Sequence, residues 1–86
     1  MKYILFEHPT SAFPTVRLFD DITGHNEVKA EVQAGKPGLE VVSAGKIWFN
    51  GESVSCVHQS VSLGLAFNKE TGDKAAVTIQ NLLEAR

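Results

Sequence analysis

Only one cysteine, Cys56, occurs in the chain, so no disulfide can form within it. A chain without disulfides is typical of a reducing compartment, and we interpret Cys56 as a small buried apolar side chain. No apolar run is long enough to cross a bilayer, and no basic segment precedes an apolar one as in a secretion signal. These absences predict a cytoplasmic protein that has no membrane partner.

The chain also lacks a basic patch. It has eight Lys and Arg residues against ten Asp and Glu residues, for a net charge of −2, and both signs are spread evenly along it. Nucleic-acid binding depends on clustered cations that neutralise phosphates, so this distribution argues against a nucleic-acid partner. The three histidines do not have the spacing of metal ligands. We therefore expect no metal site and no cofactor.

The 86 residues, 43% of them hydrophobic, are enough for one domain with one core. Residues 2–6, which are apolar nearly throughout, and residues 15–19, which alternate, predict two strands. Residues 23–34 predict a helix that ends at Gly35. A β-hairpin follows within residues 39–67, and helical apolar spacing predicts a last helix that ends near Glu84. The sequence thus predicts a single α+β domain over residues 1–86. Its small antiparallel sheet has four to five strands in the order β-β-α-β-β-α, with both helices packed on one face.

The hairpin is the segment around which the chain is organised. The Asn-Gly pair at residues 50–51 is the pair favoured in a two-residue type I′ turn. Such a turn would place Ser43 opposite His58 on the core-facing side of the hairpin. After Cys56 the apolar pattern slips by one position, which indicates a bulge or a break near residues 58–59.

A domain of this size buries a small share of its surface, so association with a second copy would stabilise it. Trp48 lies on the less apolar face of the hairpin, where it could form such a contact. We therefore expect a homo-oligomer, with a dimer favoured over other states.

Hydroxyl side chains are concentrated in the second half of the hairpin. Serine is a poor strand former, so a strand that carries several serines needs hydrogen-bond partners for them. A polar pocket under the sheet is one explanation, and hydrogen bonds among the hydroxyls and the backbone are the other. His25 adds a polar side chain at a helix start, where anions bind. The predicted ligand-binding residues are His25, Ser43, Lys46, Trp48, His58, Ser60 and Ser62.

Two tripeptides, at residues 8–10 and 58–60, have the form His-x-Ser/Thr. Such a pair resembles the signature of the two-histidine phosphoesterases. The resemblance implies that His8 and His58 would act as acid and base on a phosphodiester. It requires the two imidazoles to converge on one phosphate. We retain this enzyme as an alternative function, while the remainder of the sequence favours a protein without catalytic residues.

The segments Ser-Ala-Gly at residues 43–45 and Ser-Val-Ser-Leu-Gly-Leu at residues 60–65, followed by a polar loop and a short last helix, resemble small phage and prophage accessory proteins. The resemblance implies a non-catalytic binding protein in the host cell cytoplasm. Such a protein would act in counter-defence, either by sequestering a small signalling nucleotide or by blocking a host protein. A structural or assembly subunit is the remaining alternative.

Overall fold

The computed structural model describes residues 1–11 and 13–84, which form an antiparallel five-stranded sheet and two helices. The strands are β1 Lys2–Glu7, β2 Thr15–Phe19, β3 Glu40–Phe49, β4 Val54–Ser60 and β5 Leu65–Asn68, and the helices are α1 His25–Gly35 and α2 Lys69–Glu84. The strand order across the sheet is β2-β1-β3-β4-β5. The predicted α+β class is confirmed, and β5 is the fifth strand that the prediction of four to five strands left open.

The prediction that both helices pack on one face of the sheet is wrong. Tyr3 and Leu5 of β1 join Ile79 of α2 in one apolar cluster, whereas Ile4 and Phe6 join Val28 of α1 in another. Successive residues of a strand point to opposite faces, so the two helices cover opposite faces. The continuous apolar run of β1 requires this arrangement, because a strand that is apolar on both sides must be covered on both sides.

A bulge in β3 divides the apolar residues of this strand between the two faces. Leu5 of β1 pairs with Ser43, but the next residue, Phe6, pairs with Val41, so Val42 is the extra residue. Strict alternation would place the odd-numbered residues from 39 to 49 on one face of the sheet. Because of the bulge, Leu39 and Val41 instead pack on the α1 face.

The turn between β3 and β4 has four residues, 50–53, and not the predicted two. The Asn50 Oδ1 atom accepts hydrogen bonds from the Ser53 N–H at 2.9 Å and the Ser53 hydroxyl at 2.8 Å. Gly51 alone has a positive φ, 94°, in this turn, so the type I′ conformation is absent from it. The register therefore shifts by two residues, and His58 pairs with Gly45 instead of Ser43.

The predicted irregularity near residues 58–59 is present. The pairing of β4 with β5 shifts register between His58 and Ser60, where two steps along β4 match three along β5, from Leu65 to Asn68. The turn at residues 61–64 then folds toward the α1 face, since Leu63 and Leu65 pack against the cluster beneath α1. Neither helix of the described chain is both long and apolar enough to cross a membrane.

Candidate functional site

A cavity of about 710 Å³ opens on the α1 face, between the N-terminus of α1 and the β4–β5 turn. Its volume lies within the range of small-molecule sites. We call it the Trp48 pocket, and its lining residues are Lys2, Gly24, His25, Lys46, Trp48, Val57, Gln59, Ser60, Val61 and Ser62. The short helix α1 packs mainly on β1 and β3, so the part of this face that β4 contributes is left open.

Five of the seven predicted ligand-binding residues line the Trp48 pocket: His25, Lys46, Trp48, Ser60 and Ser62. The other two, Ser43 and His58, contact each other on the α2 face. Among the residues that sequence reasoning missed, Lys2 is the most notable. It reaches the pocket because β1 pairs with β3, a contact between distant parts of the chain that no local pattern in the sequence indicates.

His25 is the first residue of α1 and is 4% exposed. Its Nε2–H donates to the Gly45 carbonyl oxygen at 3.0 Å, and its ring meets the Phe19 ring edge-on at 5.3 Å. Burial lowers the pKa of His25 below 6.5, the Gly45 carbonyl raises it, and the nearby Lys2 lowers it. The imidazole is therefore neutral at pH 7, and the hydrogen bond assigns its proton to Nε2.

Two lysines lie side by side at the floor of the pocket. Lys2 of β1 and Lys46 of β3 are direct partners in the register of the sheet. The Lys2 ammonium donates to the Thr23 carbonyl at 2.9 Å, and Lys46 forms no salt bridge within residues 1–11 and 13–84. Like charges in directly opposed positions destabilise a sheet, so this pair has a cost in folding free energy.

Carboxylates beside the pocket offset part of this positive charge. Hydrogen bonds from Thr23 lower the pKa of Asp20, and the Met1 amino group, 2.9 Å away, lowers the pKa of Asp21. Lys2 acts on both carboxylates, and Lys46 acts on Asp21. Both aspartates are ionised at neutral pH, and each has its strongest interaction with a group other than the two lysines.

The N-terminus of α1 adds further donors. Gly24 is the N-cap residue, and no side chain forms a capping hydrogen bond there. The first backbone N–H groups of a helix point out along its axis and have no partner within the helix. Gly24 and His25 both line the pocket, so these donors lie at its wall.

Trp48 provides the aromatic surface of the site. It is 53% exposed and lies two residues beyond Lys46 on the same face of β3. Its ring is therefore open to a ligand while the lysine ammonium groups lie nearby. An exposed tryptophan beside paired cations is typical of sites that stack a ring and hold an anion.

The serines at the edge of the pocket have mainly local hydrogen bonds. The Ser60 Oγ atom accepts from the Leu63 N–H at 3.4 Å and lies 3.4 Å from the Ser62 Oγ atom. Both distances are at the long end for hydrogen bonds, so neither contact is strong. Both hydroxyls shape the β4–β5 turn, but Ser60 is buried, so only the exposed Ser62 is open to a ligand.

A second polar cluster, formed by Tyr3, Ser43 and His58, lies under α2. The Tyr3 Oη atom is 2.7 Å from Ser43 Oγ, which is 2.9 Å from His58 Nδ1. Tyr3 is fully buried, and burial raises its pKa to about 12. Its hydroxyl therefore stays neutral, and Tyr3, Ser43 and His58 form one continuous hydrogen-bonded chain. Because Ser43 is only 1% exposed, it cannot act as a nucleophile on an external substrate.

The structure does not bring His8 and His58 together. Tyr3, Gly45 and His58 form one row across three strands, whereas His8 follows β1 five positions beyond Tyr3, roughly 16 Å along the strand. His8 Nδ1 accepts a hydrogen bond from Thr10, and its ring lies against Gly38. The geometry required for the two-histidine phosphoesterase is thus absent.

No group of three or more His, Cys, Asp or Glu side chains in the described part of the chain could hold a metal ion. No protein-family model, curated protein or solved structure matches the chain. The resemblance to phage accessory proteins therefore stays a prediction.

Proposed function

We propose that this protein is a non-catalytic accessory binding protein and that its Trp48 pocket holds a small ligand with a flat ring and an anionic group, such as a nucleotide. The observation that carries this proposal is the direct pairing of Lys2 with Lys46 beside the half-exposed Trp48. Two lysines in opposed positions repel each other, and an anionic group between them would offset that repulsion.

The shape of the pocket supports a ligand of nucleotide size. A volume of about 710 Å³ accommodates a base, a sugar and a phosphate. In the arrangement that we propose, the base stacks on Trp48 while the phosphate lies near the lysines and the uncapped N-terminus of α1. In this arrangement the exposed Ser62 hydroxyl would bond the sugar.

The biological role that we propose is counter-defence. The protein would sequester a small signalling nucleotide in the cytoplasm of a host cell and would not hydrolyse it. The counter-defence part is supported by the resemblance of residues 43–45 and 60–65 to phage and prophage accessory proteins. The absence of catalysis is supported by the burial of Ser43 and the separation of His8 from His58.

The test uses the fluorescence of Trp48, which is the only tryptophan in the chain. The protein is titrated with cyclic mononucleotides, cyclic dinucleotides, linear mononucleotides and the corresponding nucleosides. We expect quenching by at least one nucleotide and a much weaker effect of its nucleoside, which lacks the anion. If no nucleotide changes the fluorescence or gives heat in calorimetry, the proposal is wrong.

Lys46→Gln provides the matched variant for this titration. Loss of one charged contact should weaken nucleotide binding about tenfold. Lys74→Gln is the control, because Lys74 is an exposed lysine of α2 that lines a groove on the opposite face. Equal losses in both variants would indicate a general effect of charge and would contradict a specific site.

A protein partner is the second candidate, and the observation that favours it is the exposure of Trp48 at 53% beside Val61 at 90%. Exposed apolar side chains at one place are typical of a docking surface. The partner would be a second copy of this chain, as the sequence predicts, or a host protein. Sedimentation across a dilution series tests the first case, and Trp48→Ser should shift a dimer to monomer.

A further inference from the structure

His25 has one ring nitrogen that the fold uses and one that it leaves for the Trp48 pocket. The Nε2–H group donates to the Gly45 carbonyl at 3.0 Å. The Nδ1 atom has no hydrogen-bond partner in residues 1–11 and 13–84, although the side chain is 4% exposed. No buried side-chain nitrogen or oxygen of those residues lacks a partner. Nδ1 therefore keeps some exposed surface, and His25 lines the pocket.

In neutral imidazole with a proton on Nε2, Nδ1 is a bare acceptor. A bare acceptor repels an anion, but uptake of one proton converts Nδ1 into a charged donor that attracts it. An anionic ligand near Nδ1 therefore has a lower free energy when His25 is protonated. The Gly45 hydrogen bond persists in both states, because Nε2 keeps its proton.

The groups around His25 determine where this protonation occurs. Lys2 of β1 and Lys46 of β3 are the nearby cations, Phe19 of β2 is uncharged, and the β4–β5 turn contributes only uncharged side chains at the pocket. The nearby anions are Asp20 and Asp21, which precede α1, and Glu27, which lies in the first turn of α1.

Without a ligand, the interactions around His25 keep its imidazole neutral at pH 7. Burial lowers its pKa, and Lys2 also lowers it, while the Gly45 and Tyr3 carbonyls raise it. An anion in the pocket would screen the two lysines and pair with the imidazolium, so the pKa of His25 would rise on binding.

We infer that His25 couples anion binding in the Trp48 pocket to uptake of one proton at Nδ1, which makes the pocket a pH-dependent anion receptor. The inference deepens the proposed function and depends on it. A group whose pKa is raised by a ligand makes that ligand bind more tightly at low pH. Affinity should rise as the pH falls through the pKa of the bound form and level off below the pKa of the free form.

The experiment follows the imidazole C–H resonances of the full chain by NMR as the pH is changed. One titration contains sodium chloride, and the other contains sodium sulfate at the same ionic strength. Sulfate is the probe because it stays a dianion throughout. We expect sulfate to raise the pKa of His25 and to leave the pKa of His58 unchanged. Sulfate should bind about tenfold more tightly at about pH 5.5 than at about pH 8.

His25→Gln is the matched variant, because a glutamine amide can still donate to the Gly45 carbonyl but cannot take up a proton. Its affinity for sulfate should not change with pH. His58→Gln removes a histidine on the opposite face, and its affinity for sulfate should retain the pH dependence of the unmodified protein. Thermal unfolding of both variants checks that they are folded.

The outcomes separate the two proposals. If a nucleotide binds but sulfate leaves the pKa of His25 unchanged, the proton linkage is wrong and the proposed function stands. If sulfate raises the pKa of His25 but no nucleotide binds, the anion receptor is supported and the nucleotide is not the ligand. If neither anion has an effect, both proposals are overturned. A pH dependence that persists in His25→Gln also overturns the linkage.

Discussion

Ser43 Oγ lies 2.9 Å from His58 Nδ1, although the two residues are not opposite each other in the sheet. His58 pairs with Gly45, so Ser43 is its diagonal neighbour on β3. A Cβ atom at Gly45 would overlap the Val57 carbonyl oxygen, so only glycine lets β3 and β4 approach this closely. Ser43 in turn lies 2.7 Å from the Tyr3 hydroxyl. Three polar side chains thus satisfy one another under α2, on the face opposite the Trp48 pocket.

Ser43→Ala should lower the free energy of unfolding by about 1–3 kcal/mol, because it leaves the buried Tyr3 hydroxyl and His58 Nδ1 without a partner. Urea denaturation measures the loss. Ser55→Ala is the control, since Ser55 is an exposed serine on the same strand as His58, and its effect should stay within about 0.5 kcal/mol. Equal effects of the two substitutions would show that the buried cluster does not stabilise the fold.

The protein should become less stable as the pH falls below about 6.5. Burial lowers the folded-state pKa of both His25 and His58 below their ordinary value of 6.5. The unfolded chain therefore binds more protons than the folded one, so stability is lost as the pH falls from 6.5 toward the folded-state values. Thermal unfolding between about pH 7.5 and about pH 5.5 measures this loss. His58→Gln should reduce the slope, and an unchanged slope would contradict the argument.

Gly72→Ala should lower the free energy of unfolding by about 1–3 kcal/mol through overpacking. A Cβ atom at Gly72 would lie 2.6 Å from the Cys56 carbonyl oxygen, so α2 would have to move away from β4. Gly35→Ala is the matched control at the end of α1, where a Cβ would contact nothing within 4 Å. That substitution should leave stability unchanged or raise it by up to about 1 kcal/mol through helix propensity.

Cys56 should react slowly with thiol reagents in the folded protein. It is 7% exposed, and burial raises its pKa to about 12, so little of the reactive thiolate exists at about pH 8. Labelling should be at least about 100-fold slower than in the chain unfolded by urea. Gly72→Ala, which loosens α2 from β4, should label faster. Rapid labelling of the unmodified protein would show that α2 does not protect this strand.

Local patterns in the sequence were sufficient for most elements of the fold. The apolar run at residues 2–6, the alternation at residues 15–19 and the helical spacing before Glu84 each predicted the element that forms. The slip in apolar phase after Cys56 also predicted the irregularity near His58. These signals are reliable because hydrophobic periodicity and secondary-structure propensity depend on residues only a few positions apart in the sequence.

The hairpin turn shows where local reasoning failed. Asn-Gly favours a two-residue turn, but the Asn50 side chain forms two hydrogen bonds with Ser53 and stabilises a four-residue turn instead. The register therefore moved by two residues and preserved the face of each side chain. Ser43 and His58 still met, diagonally and not directly, because a shift of two does not change the side of the sheet.

The sequence by itself determined the class of the fold, the strands and helices, and the positions of Trp48, Lys46 and His25 within them. Only the tertiary structure decided that the helices cover opposite faces, that Lys2 pairs with Lys46, and that the seven predicted site residues divide between two faces. Strand pairing and helix placement depend on contacts between distant residues and on the bulge at Val42. Such contacts produce no periodic pattern in the sequence, because they depend on how the whole core packs.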